Sequence, residues 1–195
     1  VAGSRVAGIL ALQGGFAAHC SILERIGWNT REVRVPADLD GLDALVLPGG
    51  ESTTMTLGIE REQLTGPLME FVASGRPVLA TCAGLILLSE SHLAALPIQC
   101  ERNYYGSQIH SFEADLEVSG LAGGGFRGVF IRAPRVTRVG DGVEVLSRFE
   151  GDPVVLRADA VTALTFHPEL TDDPRLHELA LGRGDIDQAT GDADQ

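Results

Sequence analysis

Three short runs in the first half of this 195-residue chain, Arg5 to Leu12, Ala44 to Leu47 and Val78 to Thr81, are almost continuously apolar. A strand that is apolar on both faces must be covered on both faces, so such runs belong in a parallel sheet between helical layers. Arg31 to Val35 reads as a further strand. Phe16 to Ile26, Gln63 to Ser74, Leu85 to Ser91 and Asp173 to Leu181 carry the patterning of amphipathic helices between or after the strands. Later runs, Ser111 to Val118, Gly128 to Arg132, Val143 to Phe149, Val154 to Arg157 and Val161 to Phe166, are short and separated by turns, which suits an antiparallel addition. The expectation is a three-layer α/β domain over residues 1–181 with its site at the carboxyl ends of the parallel strands. Residues 182–195, rich in Gly and Asp, are expected to form a disordered acidic tail.

Two of the apolar runs end in chemistry. Val78 to Thr81 stops at Cys82, which is followed by Ala83 and Gly84 before a helical pattern resumes. That is the layout of a nucleophile elbow, in which a strained strand-to-helix turn lifts the side chain above the sheet and small neighbours let the backbones pass. The bland alternative is a buried core cysteine. Leu45-Val46-Leu47-Pro48 runs into Gly49-Gly50-Glu51-Ser52-Thr53-Thr54. A glycine turn at a strand end can aim a backbone N–H at a developing oxyanion, so Gly50 and Ala83 are the candidate donors, with Ser52 or Thr53 capping the next helix. A tight strand-to-helix loop explains the same glycines, and the lysine of a phosphate-binding loop is missing. Phe166-His167-Pro168-Glu169 supplies a base for a thiol and a carboxylate to hold its tautomer. On an extended strand, residues two apart share a side, which would bring His167 and Glu169 together.

These segments together resemble the class I, triad-type glutamine amidotransferases, and more narrowly the glutaminase subunits of pyridoxal 5′-phosphate synthase. The resemblance runs through Gly8-Ile9-Leu10-Ala11-Leu12-Gln13-Gly14, Pro48 to Thr54, Thr81 to Gly84, Glu101-Arg102-Asn103, Ser111-Phe112-Glu113, Val129 to Pro134 and Phe166 to Thr171. It implies a flavodoxin-like three-layer domain, a triad of Cys82, His167 and Glu169, and no cofactor. It also implies contacts to L-glutamine from Gly49, Gly50, Glu51, Arg102, Ile131 and Arg132, and a separate synthase subunit as partner. Free glutamine carries an ammonium and a carboxylate, for which Glu51 and an arginine fork are suitable counter-charges. A solvated surface arginine is an equal reading of Arg102. Two departures stand out: Ala80 where the pattern has Gly before Thr-Cys, and a short segment from Ser91 to Ile98. Other readings are a glutaminase for another synthase, such as the imidazole-forming one, or a catalytically silent interaction subunit.

The formal net charge of −12, with all 15 basic residues arginine, argues against a nucleic-acid partner. It suggests a high-salt setting, although a GC-rich genome would also remove lysine. Cys20, Cys82 and Cys100 form no C-x-x-C pair, which favours a reducing cytoplasm. No targeting segment and no membrane span of ~18 apolar residues is expected. His19, His92, His110 and His177 lack metal-ligand spacing, so no metal is assigned.

Overall fold

In a computed structural model of the chain, which describes residues 5–102 and 111–184, the apolar runs become the middle of a sheet. In chain order the strands are β1 (Val6–Leu10), β2 (Asn29–Val33), β3 (Ala44–Leu47), β4 (Val78–Thr81), β5 (Ile98–Glu101), β6 (Ser111–Leu116), β7 (Phe126–Ile131), β8 (Arg135–Val139), β9 (Glu144–Phe149), β10 (Asp152–Ala158) and β11 (Val161–Leu164). The helices are α1 (Phe16–Arg25), α2 (Ser52–Arg61), α3 (Thr65–Ala73), α4 (Ala83–Leu88) and α5 (Arg175–Leu181). Among the described residues, seven strands share one sheet in the order β2-β1-β3-β4-β11-β10-β9. The pairs from β2 to β11 are parallel, and β10 and β9 continue the sheet antiparallel. β11 thus differs from its expected place in the antiparallel group: it lies parallel to β4, with Leu164 beside Thr81.

Alternation along these strands feeds two cores. Leu45, Leu47, Val78 and Ala80 face a layer containing Met55 and Ile59 of α2, Phe71 of α3 and Leu85 and Leu88 of α4. Ala44, Val46, Leu79 and Leu164 face Leu23 of α1 and Leu176 and Leu181 of α5. With both faces covered, the fold is a three-layer α/β one, and continuous apolar strands are what it needs. Ala80 is fully buried in the first core. The short segment after α4 buries Leu93 and Leu96, tied by N–H bonds to the carbonyls of Leu87 and Leu88.

Outside the main sheet, β5 pairs with β8, and β6 with β7. Phe112 of β6 stacks on Phe130 of β7 with ring centroids 4.6 Å apart, and Phe130 meets Phe166 at 5.1 Å. This aromatic seam pins β7 against the end of β11. Asn103 and His110 lie outside the described residues, as does the expected tail from residue 185 on. Before it, the Gly184 N–H bonds the Ile26 carbonyl at 3.0 Å.

Candidate active site

Cys82 sits at φ 48° and ψ −105°, a left-handed conformation that a non-glycine residue adopts only when its surroundings impose it. Here the imposition comes from both sides. The Cys82 N–H is fixed to the Leu164 carbonyl at 2.8 Å, and α4 starts at the next residue. A Cβ on Gly84 would run into the Leu47 carbonyl, so the small residue after the elbow is a packing requirement. The thiol is buried, with Sγ 3.9 Å from the Ile131 carbonyl at the end of β7.

His167 follows β11 and hangs on β7 through its N–H to the Val129 carbonyl at 2.9 Å. Its Nδ1 lies 2.7 Å from Glu169 Oε1. The expected pairing is present, but for a different reason. The strand ends at Leu164, and Pro168 opens a single 3₁₀ turn, Pro168–Leu170, that folds Glu169 back to the ring. Burial pulls the His167 imidazole toward neutrality, yet its bonds to Cys82 and Glu169 and their charges outweigh it and lift its pKa to about 10. Burial pushes Glu169 up, and the hydrogen bond from His167 wins and keeps it ionised. The other cysteines contrast with this. Burial pushes Cys100 up to about 12 and raises Cys20 as well, leaving both as inert thiols.

Opposite the thiol lies the glycine turn. A Cβ on Gly49 would collide with the His167 ring and come within 3.3 Å of Cys82 Cβ. The turn is strapped down by the loop after β1: the Gly15 N–H donates to the Gly49 carbonyl at 2.9 Å, and the Glu51 N–H to Gln13 Oε1 at 2.6 Å. Nothing in the sequence around Gln13 marks it for this strap. The helix cap also differs from expectation. Glu51, not Ser52 or Thr53, caps α2, accepting from the N–H groups of Thr53 at 3.1 Å and Thr54 at 2.7 Å. Bonds from the Thr54 hydroxyl and from these backbone groups hold the carboxyl down to about 2. Arg102 donates to the hydroxyls of Ser52 at 2.9 Å and Thr53 at 3.0 Å. Arg132, exposed, follows β7 at φ 45°.

All the residues singled out from sequence, Gly49, Gly50, Glu51, Cys82, Ala83, Arg102, Ile131, Arg132, His167 and Glu169, line one cavity of about 370 Å³. That is within the usual range for a small-molecule site. A larger cleft of about 470 Å³ around Arg135, Arg138, Arg148 and Asp152 holds no cysteine or histidine. Among the described residues no cluster suits a metal ion, and no helix is long and apolar enough to cross a membrane.

A family model described as the SNO glutamine amidotransferase family matches residues 9–183. The chain belongs to the SNO glutamine amidotransferase family. The pyridoxal 5′-phosphate synthase subunit PdxT of Geobacillus kaustophilus is 48% identical over 181 residues, covering 89% of this chain and 92% of that protein. The subunit of the same name from Cutibacterium acnes is 47% identical over 190 residues, covering 89% and 94%. A crystal structure of a glutamine amidotransferase superposes with a TM-score of 0.84 at 46% identity, covering 90% of this chain and 96% of that one. PurLQS from Thermotoga maritima, at 18% identity and a TM-score of 0.76, shares the fold alone. Within this SNO family frame, the site also contains two histidines whose sequence context excludes a metal role but assigns no other. His19 and His177 lie buried behind Glu169, with nothing in their local sequence to mark them.

Proposed function

We propose that this cavity hydrolyses L-glutamine and that the ammonia passes to a synthase subunit building pyridoxal 5′-phosphate. Cys82 attacks the side-chain amide carbon, and the N–H groups of Gly50 and Ala83 hold the oxyanion. As the first residue of α4, Ala83 has an N–H with no partner inside its helix. His167 passes a proton to the departing ammonia, leaving a glutamyl thioester, and then activates the water that releases glutamate. Glu169 holds the imidazole tautomer. Glu51, Arg102 and Arg132 face the ammonium and carboxylate of the substrate, with Gly49, Gly50 and Ile131 framing its side chain.

The observation that carries this reading is the convergence, in one cavity, of a thiol held at left-handed φ with a hydrogen-bonded His-Glu pair. A silent interaction subunit would have no need to keep a strained cysteine beside that pair. The naming of the relatives at 44–48% identity favours the pyridoxal 5′-phosphate partner over an imidazole-forming one. We assign residues 1–181 to a single glutaminase domain and the protein to the cytoplasm, where its three cysteines stay reduced. Glutamate and ammonia production by the purified chain, titrated with the synthase subunit, tests the reading. Turnover should rise with the partner, and absence of glutamine hydrolysis in the complex would end the proposal.

A further inference from the structure

The line from thiol to carboxylate does not stop at Glu169. His19 of α1 and His177 of α5 are fully buried, and Nδ1 of His19 lies 2.9 Å from Nε2 of His177. The opposite nitrogen of His19, Nε2, lies 3.4 Å from Glu169 Oε2 and 3.3 Å from the Thr81 hydroxyl. Glu169 Oε1 is taken by His167, while Oε2 is buried and, among the described residues, has no hydrogen-bond partner, the His19 Nε2 standing 3.4 Å away as the group that could supply one. Two ring systems in a core position carry a desolvation penalty that an apolar pair would avoid, so their arrangement calls for a reason.

Proton placement supplies one. Burial holds both imidazoles neutral, aided at His177 by His19 and Arg25; at His19 the Glu169 charge opposes the effect and His167 adds to it. Two neutral rings share a single proton across the 2.9 Å contact. If His19 held that proton, its Nε2 lone pair would accept from the Thr81 hydroxyl but also face the carboxylate, and the His177 Nδ1–H would be buried with no acceptor, since that atom has no partner. If His177 holds it, His19 presents Nε2–H to Glu169 Oε2. Only the second arrangement puts a donor against the charge.

We propose that His19, oriented by His177, is a positioning residue that fixes the Glu169 carboxylate from the side opposite His167. This rests on the reading of Glu169 as the triad carboxylate. With a ring N–H on each oxygen, the carboxylate cannot turn about its last bond, and His167 stays with Nδ1–H toward Glu169 and its other nitrogen toward the thiol. Thr81, the residue before Cys82, ties the same device to the elbow.

The test has two parts. Nitrogen-15 NMR of histidine-labelled protein at neutral pH should show His19 and His177 both protonated on Nε2 alone; an Nδ1–H or doubly protonated His19 would overturn the proposal. In the complex with the synthase subunit, His19→Leu should lower kcat by about tenfold or more with KM for glutamine within about twofold. His19→Gln, which keeps a donor at similar reach, should recover most of that loss, and His177→Phe should lose less. Alkylation of Cys82 by iodoacetamide should follow the same ranking. Its acid limb in His19→Leu should move to higher pH by about half a pH unit or more, whereas mere loss of folded protein lowers the rate at every pH alike. A folded His19→Leu protein with unchanged limb and kcat would refute the role, and if that variant does not fold, His19→Gln and the tautomer decide. A wild-type complex inert toward glutamine would sink the glutaminase reading alone, because tautomer and alkylation need no turnover.

Discussion

The inner wall of the cavity and its rim hold their charged groups in opposite ways. Within, the Glu169 side chain is 1% exposed and His167 13%, each fixed by strand ends and buried neighbours. At the rim, Glu51, Arg102 and Arg132 are exposed, steadied by hydroxyls or by a turn. Water can replace a lost contact at the rim, but it cannot replace the buried bond between His167 and Glu169 without opening the packing behind it. On the proposed function, chemistry is built into the core and recognition is laid over it. Damage should fall on turnover in the first region and on affinity in the second.

The largest test of that division is Cys82→Ala, which should cut glutamine turnover by at least about 10³-fold while leaving glutamine binding measurable. Cys20→Ala and Cys100→Ala should stay within about twofold of wild type. Ammonia release together with calorimetric titration of glutamine separates the two effects, and a Cys82→Ala protein with near-normal turnover would displace the thiol from its role.

The rim should respond in the other parameter. Glu51→Gln and Arg132→Ala are expected to raise KM for glutamine by roughly tenfold with kcat changed less than about threefold. Steady-state kinetics in the synthase complex would blur the contrast if kcat fell and KM held.

Proton linkage sharpens the picture of the inner wall. His19 and His177 ionise near 6.5 when unfolded but are kept neutral by burial when folded, so below about pH 6.5 the unfolded chain binds more protons. Stability present above that pH is lost as pH falls, and the melting temperature should drop by roughly 5 °C between pH 7 and 5. His177→Phe should flatten this slope and Arg132→Ala should not; equal slopes in all three proteins would assign the acid sensitivity elsewhere.

The smallest effect belongs to the surface as a whole. With a formal net charge of −12 and no lysine, screening should raise the melting temperature modestly between low and molar KCl. A flat response would remove the high-salt expectation without touching the site.

Sequence carried the inner wall's reactive half unusually far. Cys82 stands at the seam between an apolar strand and small residues, and His167 and Glu169 are neighbours in the chain, so local pattern was enough to mark them. β1, β3 and β4 were legible for a related reason, since two-sided burial writes itself as an unbroken apolar run. What escaped is what only packing creates. His19 and His177 are 158 residues apart and meet through helices on one face of the sheet. Glu51 as a cap was hidden by Ser52 and Thr53, commoner cap residues that stand one and two positions too late. β11 reads from sequence as one of its antiparallel neighbours because a short buried strand does not announce which side pairs parallel.

The parallel pairing of β11 with β4 also sets a timetable. A chain emerging from the ribosome completes the nucleophile's strand long before Val161 to Leu164 exist, and until then β4 has an unpaired edge and Cys82 lacks the carbonyl that pins its N–H. The proposed base and its carboxylate, His167 and Glu169, follow only after that strand. On the proposed mechanism a product terminated before β11 carries the thiol without the means to activate it, and the reaction waits until β11 and the His167–Glu169 turn after it have docked.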